Sequence, residues 1–242
     1  VTARLDLVGL GMQVPNHVDP WVAHLVREAD LVLDLVDDPL ATAWLDRVHP
    51  AHRSLLGAYE EDRPRAALYA ELVEVVLEGA SSVRRSVLVT YGHPALASRI
   101  TRGLVHRARD RAQVQVWPAV SSLDALMADV GFDLVADGTM VYEASDLLLG
   151  RRPLHADLAT VVLQVGLVGV LGTRVDSGVR DRGVQDLTAL LAATYGARHE
   201  AVVYEAATHV LGRHHEARVP LEALATAELT PASTLLVPSR RP

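Results

Sequence analysis

The chain has 242 residues, enough for one large domain or two small ones, and half of them are hydrophobic, ample for a sizeable core. There is no cysteine, which excludes disulfides and thiolate metal sites, and all 23 basic residues are arginine, which excludes a lysine Schiff base and a phosphate-binding Walker lysine. The net charge of −7 argues against nucleic acid or an anionic membrane surface as partner. The longest apolar run, Ala159 to Gly172, is broken by Gln164 and falls short of the roughly 20 residues that span a bilayer, so a cytoplasmic protein without a membrane partner is expected.

Leu5 to Val8 reads as a first strand, ending in the glycine turn Gly9-Leu10-Gly11-Met12. A dinucleotide fingerprint needs another glycine or alanine three residues after Gly11 and then a helix. Val14 and Pro15 stand there, so no nicotinamide cofactor is expected despite Asp34 at a suggestive distance. Trp21 to Ala29 has a helical pattern, Leu31 to Val36 is a second strand closed by Asp37-Asp38-Pro39, and Leu40 to Val48 is another helix. Further on, Asp62 is placed to cap a helix whose first turn tolerates Pro64, with Leu68, Leu72, Val75 and Val76 as its buried stripe. Arg65 and Tyr69 stand four apart on neighbouring faces of that helix, and Tyr59 lies just before it. These three side chains either pack and solvate in the ordinary way or face a site.

Val87-Leu88-Val89-Thr90 then runs into Tyr91-Gly92-His93-Pro94. Ligands of open α/β sheets sit beyond the carboxyl ends of the strands, so this loop is either an ordinary strand-to-helix turn or the place of chemistry. A helix is expected from Ala95 to Arg111, its Arg99, Arg102, Arg107, Arg109 and Arg111 forming a solvated face. Val114 to Trp117 is a short strand, and the alternation of strands and helices to this point implies a parallel sheet. In Pro118-Ala119-Val120-Ser121-Ser122, either serine can cap a helix from Leu123 to Val130 whose free amide groups offer a polar ligand site. A boundary at Pro118 divides the chain into lobes 1–117 and 118–242. The second lobe has strands at Thr139 to Tyr142, at Thr160 to Val165 with Gln164 inside the run, at Ala201 to Tyr204 and at Ala232 to Val237, and a helix from Gly183 to Tyr195. His209, His214 and His215 lack the helical spacing of a zinc pair, and no metal site is expected.

Four segments together resemble the tetrapyrrole methylase superfamily of S-adenosylmethionine-dependent methyltransferases: Gly9-Leu10-Gly11, Tyr91-Gly92-His93-Pro94, Pro118 to Ser122 with its helix, and Gln164-Val165-Gly166. The resemblance runs from about Arg4 to Pro238 and is more specific to the borosin peptide backbone α-N-methyltransferases. Tyr59, Arg65 and Tyr69 stand at the spacing of that group's catalytic residues, and Tyr91 precedes Gly-His-Pro as its loop tyrosine does. Phe132-Asp133, Tyr142 to Leu148 and Ser233-Thr234-Leu235 also look like that group's stretches. Ala95 and Ser145 depart from its usual glycine and threonine, and the first turn lacks the Pro-Gly of corrin-modifying members.

The resemblance implies an α/β fold of two α/β lobes of the tetrapyrrole methylase type, with the methyl-donor cleft between them, and a homodimer. It implies S-adenosylmethionine as cofactor, bound through Gly9, Gly11, Tyr91, His93, Leu96, Ser121, Ser122, Gln164, Val165, Ser233 and Thr234. It implies Tyr59, Arg65, Tyr69 and Tyr91 as catalytic residues. The chain stops soon after Pro238, so a separate ribosomally made precursor peptide is the expected substrate partner. A peptide nitrogen is a poor nucleophile because its lone pair is delocalised into the carbonyl. Arg65 would stabilise charge on that oxygen, and would lower the pKa of Tyr59 or Tyr69 so that one takes or relays the proton. A corrin or porphyrin C-methyltransferase and a non-catalytic donor-binding module are the alternative readings.

Overall fold

The computed structural model describes residues 3–108, 111–136 and 138–240; Arg109 of the expected basic face lies outside them. The chain forms two compact units, Val1–Ala125 with Ala207–Gly212, and Leu126–Ala206 with Arg213–Pro242.

The first unit contains β1 (Arg4–Gly9), α1 (Pro20–Arg27), β2 (Leu31–Leu35), α2 (Pro39–Val48), β3 (Arg53–Ser54), α3 (Arg65–Ser81), β4 (Arg85–Thr90), α4 (Arg99–Arg107) and β5 (Gln113–Val116). Its sheet is wholly parallel in the order β3-β2-β4-β1-β5, as the alternation of elements implies. Side chains alternate across the pleat. Leu5, Leu7, Leu33 and Leu88 therefore join a core with Leu68, Leu72, Val76, Leu77, Ile100 and Leu104 of α3 and α4. Val8, Val32, Val87 and Val89 face the other way, into a core with Val22 and Val26 of α1 and Ala41 and Leu45 of α2. A parallel sheet covered on both faces needs such near-continuous apolar strands.

Helix starts differ from expectation where capping chemistry decides them. Asp19 and Asp38 accept backbone N–H bonds at the starts of α1 and α2, which puts Pro20 and Pro39 in the first turn, where a missing N–H costs nothing. Asp62 does not cap α3; Pro64, with extended φ −59° and ψ 127°, precedes Arg65 and no side chain caps that end. The buried face of α3 is Leu68, Leu72, Val73, Val76, Leu77 and Ala80, with Val75 at its half-buried margin. The helix expected from Ala95 begins at Arg99, because Ser98 Oγ accepts from Thr101 N–H and Ala97 takes a left-handed φ of 51°.

The helix α5 (Ser122–Val130) spans the division between the units. The second unit continues with β6 (Thr139–Glu143), α6 (Ala144–Leu149), β7 (Ala159–Leu163), α7 (Ser177–Tyr195), β8 (Glu200–Glu205), β9 (His215–Pro220) and β10 (Thr234–Val237). The sheet order is β6-β7-β10-β8-β9; β6 runs parallel to β7 and the other neighbours are antiparallel. Val162, Val203, Leu235 and Val237 pack with Leu187, Leu191 and Tyr195 of α7 in its core. β7 stops at Leu163, so Gln164 is outside the strand rather than within it. α7 starts at Ser177 rather than Gly183, because Asp176 accepts from Val179 N–H.

Asp34 has a structural partner. His52 Nδ1 lies 2.8 Å from its buried carboxylate and His52 Nε2 lies 3.0 Å from Asp46. Burial alone would lower the imidazole pKa, but hydrogen bonds and charge from the two aspartates raise it above its ordinary value. A raised folded-state pKa means stabilisation fully present below the unfolded value of about 6.5 and lost as pH rises through the folded one. Thermal melts from about pH 6 to about pH 8 should show a fall in Tm that His52→Gln flattens.

Candidate active site

Gly9 ends β1 at the point where three loops meet. A Cβ there would lie 2.0 Å from Gly92 O, 2.9 Å from Pro94 Cδ and 3.0 Å from Ala119 Cβ. The loops after β1, β4 and β5 are therefore stacked on one another at the carboxyl end of the parallel sheet. Gly92 N–H donates to Gly11 O at 3.0 Å and Gly11 N–H to Gly92 O at 3.3 Å. Gly11 and Gly92 both take positive φ, 71° and 63°.

On this base the Tyr91 hydroxyl donates to Met12 O at 3.4 Å. Its pKa is pushed up to about 12, first by burial and then by the charges of Asp38 and Asp37. His93 Nδ1 accepts from Ala95 N–H at 3.0 Å, and Leu96 N–H closes the turn onto His93 O at 3.1 Å. Ser121, not Ser122, caps α5. Its Oγ accepts from Asp124 N–H at 3.3 Å, while the Asp124 carboxylate accepts from Ser121 N–H at 2.7 Å and from its hydroxyl, a reciprocal capping box. Burial works to raise the Asp124 pKa, but the hydrogen bonds from Ser121 and the nearby charge of His93 bring it below the ordinary value. Gly9, Gly11, Tyr91, His93, Leu96, Ser121 and Ser122 thus belong to one set of adjoining loops.

Tyr59, Arg65 and Tyr69 form a second group. Tyr59 closes a short 3-10 turn, Leu56–Tyr59, Arg65 is the first residue of α3, and Tyr69 lies one turn on. The two rings are 6.4 Å apart and inclined at 57°. The Tyr59 phenol is pushed up to about 12 by burial, with Tyr69 adding to the rise and Arg65 acting against it. The expected lowering by Arg65 is therefore present in direction but outweighed, and Tyr59 stays protonated at physiological pH. Arg65 is half-buried and makes no ion pair among the described residues, whereas Arg63 pairs with Glu71.

The remaining expected residues lie in the second unit. Gln164 takes a left-handed conformation, φ 59° and ψ 39°, at a cost of about 1 kcal/mol for a non-glycine residue. Val165 N–H donates to Ser233 O at 3.1 Å, and a Cβ at Gly166 would lie 2.1 Å from Thr230 O. Thr234 opens β10 directly after Ser233, so Gln164, Val165, Ser233 and Thr234 are brought to one place. The Gln164 side-chain amide makes no hydrogen bond among the described residues, and its donors and acceptor are open to a ligand.

A family model described as Tetrapyrrole (Corrin/Porphyrin) Methylases matches residues 4–224. The chain belongs to the tetrapyrrole methylase family. It is 33% identical, over 84% of its length, to a methyltransferase/ribosomally synthesized type III borosin cyclic peptide precursor of Anomoporia bombycina. It is 31% identical, over 69% of its length, to a type I borosin precursor of Coprinopsis marcescibilis. The aligned parts are only 24% and 43% of those two proteins, so the chain spans less than half the length of these relatives. Two solved structures share the fold. Uroporphyrin-III C-methyl transferase from Thermus thermophilus, complexed with S-adenyl homocysteine, has a TM-score of 0.66 at 21% identity over 97% of both chains. The precorrin-6Y methylase of Archaeoglobus fulgidus has a TM-score of 0.66 at 14% identity over the whole of both.

Two acidic residues of these sites do not stand among those the sequence pattern singles out. Asp124 was legible, since an acid three residues after Ser121 is the capping-box spacing. Glu205, which accepts hydrogen bonds from Thr230 and Ser233, carries no local signal. The close approach at Gly9 has a direct test. Gly9→Ala should destabilise the protein by about 3 kcal/mol or more, since backbone cannot move aside as a flexible side chain can. Gly57→Ala, where a Cβ meets nothing within 4 Å, should change stability by under about 1 kcal/mol. Urea denaturation midpoints would compare the two.

Proposed function

We propose that this chain is an S-adenosylmethionine-dependent methyltransferase acting on backbone amide nitrogens of a ribosomally made precursor peptide. The observation that carries the reading is Arg65, a guanidinium without an ion-pair partner among the described residues, beside the protonated Tyr59 phenol, in a family member similar to borosin-named proteins. S-adenosylmethionine would supply a methyl group already activated on a sulfonium. The residues fit that ligand. Gly9 and Gly11 let backbone come close, the start of α5 offers free amide groups, and Gln164 has an open side-chain amide. Asp37 and Asp38, whose charges reach Tyr91, favour a cation nearby. We take His93, Leu96, Ser122, Val165, Ser233 and Thr234 as the other donor contacts.

As the amide proton is drawn off, negative charge gathers on the carbonyl oxygen, and it is discharged when the nitrogen takes the methyl group. Arg65 and the Tyr59 hydroxyl are donors for that oxygen, and both keep their protons at physiological pH. Tyr69, at the same face, would pass the amide proton on to solvent, while the donor's sulfonium leaves as a neutral thioether. The Tyr91 phenol, also held protonated, donates to Met12 O, so its ring and its oxygen lone pairs are what it presents to the reacting groups. In-line placement against the sulfonium does much of the rest.

Peptides rich in hydrophobic residues, supplied as separate molecules with deuterium-labelled methyl donor, should gain methyl groups on backbone nitrogen by mass spectrometry. Transfer to uroporphyrinogen III and to no peptide would overturn the reading in favour of tetrapyrrole chemistry. Arg65→Ala should lower turnover by roughly 10²–10³ with donor affinity hardly changed, because the interaction belongs to the transition state. Arg65→Lys should restore it only partly, since an ammonium cannot reproduce the planar fork. Retained turnover in Arg65→Ala would remove it from the mechanism.

A homodimer is part of the same proposal. The second unit exposes Val135, Val141, Leu149, Leu171 and Val175, apolar side chains that a second copy could cover. Sedimentation at micromolar concentration should give twice the chain mass; a monomer would count against it.

A further inference from the structure

Glu205 ends β8, directly after the buried run Ala201 to Tyr204. One of its oxygens, Oε1, accepts the Thr230 hydroxyl at 2.7 Å and the Ser233 hydroxyl at 2.5 Å. The same two residues are tied to each other. Thr230 N–H donates to Ser233 Oγ at 2.8 Å and Ser233 N–H to Thr230 O at 3.0 Å. Thr230 Oγ1 also accepts from Ala232 N–H at 3.1 Å. The turn 230–233 is thus closed on itself and anchored to the carboxylate. Two hydroxyls on one side-chain oxygen make this anchor a firm link of the turn.

The turn in turn shapes the loop after β7. The Ser233 carbonyl accepts from Val165 N–H, and the Thr230 carbonyl presses against Gly166 with no room for a Cβ. Gln164, immediately before, is held in its left-handed conformation by those two contacts. Such a conformation persists only where its surroundings over-determine it. Glu205 makes no ion pair among the described residues, so its charge is not committed to an arginine and its bonds go to the turn alone.

We infer that Glu205 is a positioning residue for the methyl donor, acting through Thr230 and Ser233 to fix the Gln164–Val165 loop in its ligand-ready shape. This rests on the reading above that Gln164, Val165, Ser233 and Thr234 take the donor. Glu205 need not touch the donor; its part is to present an oxygen that accepts two hydroxyl hydrogen bonds. A glutamine at this position keeps such an oxygen and an alanine does not.

The test titrates S-adenosylmethionine calorimetrically into the whole chain as wild type, Glu205→Ala, Glu205→Gln and Glu205→Asp, and records the Tm of each without donor. Glu205→Ala should weaken donor binding by at least about tenfold, the worth of two hydroxyl hydrogen bonds lost together. Glu205→Gln should bind within about threefold of wild type, since its carbonyl oxygen accepts both hydroxyls. Glu205→Asp, its carboxylate drawn back by one methylene, should weaken binding and carries the test if the alanine variant does not fold. Wild-type affinity in Glu205→Ala or, with that variant unfolded, in Glu205→Asp overturns the inference. So does a glutamine variant as weak as alanine. Wild type that takes no donor overturns the donor-binding reading itself, a result separate from any difference among the variants.

Discussion

The first unit depends on one close approach. Strand β1 ends at Gly9, a residue that must lack a side chain, because the carbonyl of Gly92 occupies the place a Cβ would take. That contact, with the reciprocal Gly11–Gly92 hydrogen bonds, stacks the loops after β1, β4 and β5 at the carboxyl end of the sheet. Tyr91 and His93 on one loop, and Ser121 beyond another, are consequently set in place by the backbone and then tied by their own side-chain hydrogen bonds. In a doubly covered parallel sheet the strands are rigid and nearly interchangeable; the character of the site comes from how the loops meet beyond them.

Carboxylates do much of the local anchoring. Asp19, Asp38, Asp124 and Glu143 accept backbone N–H groups at helix starts. Buried Asp6 takes the Trp117 indole N–H at 2.8 Å together with the Arg4 guanidinium, and Asp34 takes His52. Each acid satisfies donors that would otherwise be stranded by burial. An acidic, lysine-free composition is thereby compatible with a well-tied fold.

The same burial that orders the tyrosines sets their chemistry. Tyr59 and Tyr91 both have phenols pushed up to about 12, for want of solvent around the anion. Arg65 opposes that at Tyr59 but does not prevail. The group at the start of α3 accordingly presents a guanidinium beside a phenol that keeps its proton.

The sequence by itself determined what local pattern can determine. Apolar strands such as Leu5 to Val8 and Val87 to Val89, alternating along the chain with helices, made a parallel sheet legible. Gly9-Leu10-Gly11 and Tyr91-Gly92-His93-Pro94 marked the loops, and the Ser121-Ser122 pair marked a capped helix. Arg65 and Tyr69 were visible as neighbours four apart on a helix, while Tyr59 joined them only through the family resemblance. Tertiary structure decided the rest. The two-residue strand Arg53–Ser54 and the half-exposed edge strand His215–Pro220 have no apolar period to betray them. Gln164 sits in an apolar run that reads as strand, yet it lies outside β7, just before Val165 and Gly166, which meet the turn from Thr230 to Ser233. Glu205 meets that turn because β8 lies beside β10, 25 to 28 residues away along the chain. Periodicity reports which face a residue turns to its own element; it carries no information about which distant loop will arrive there.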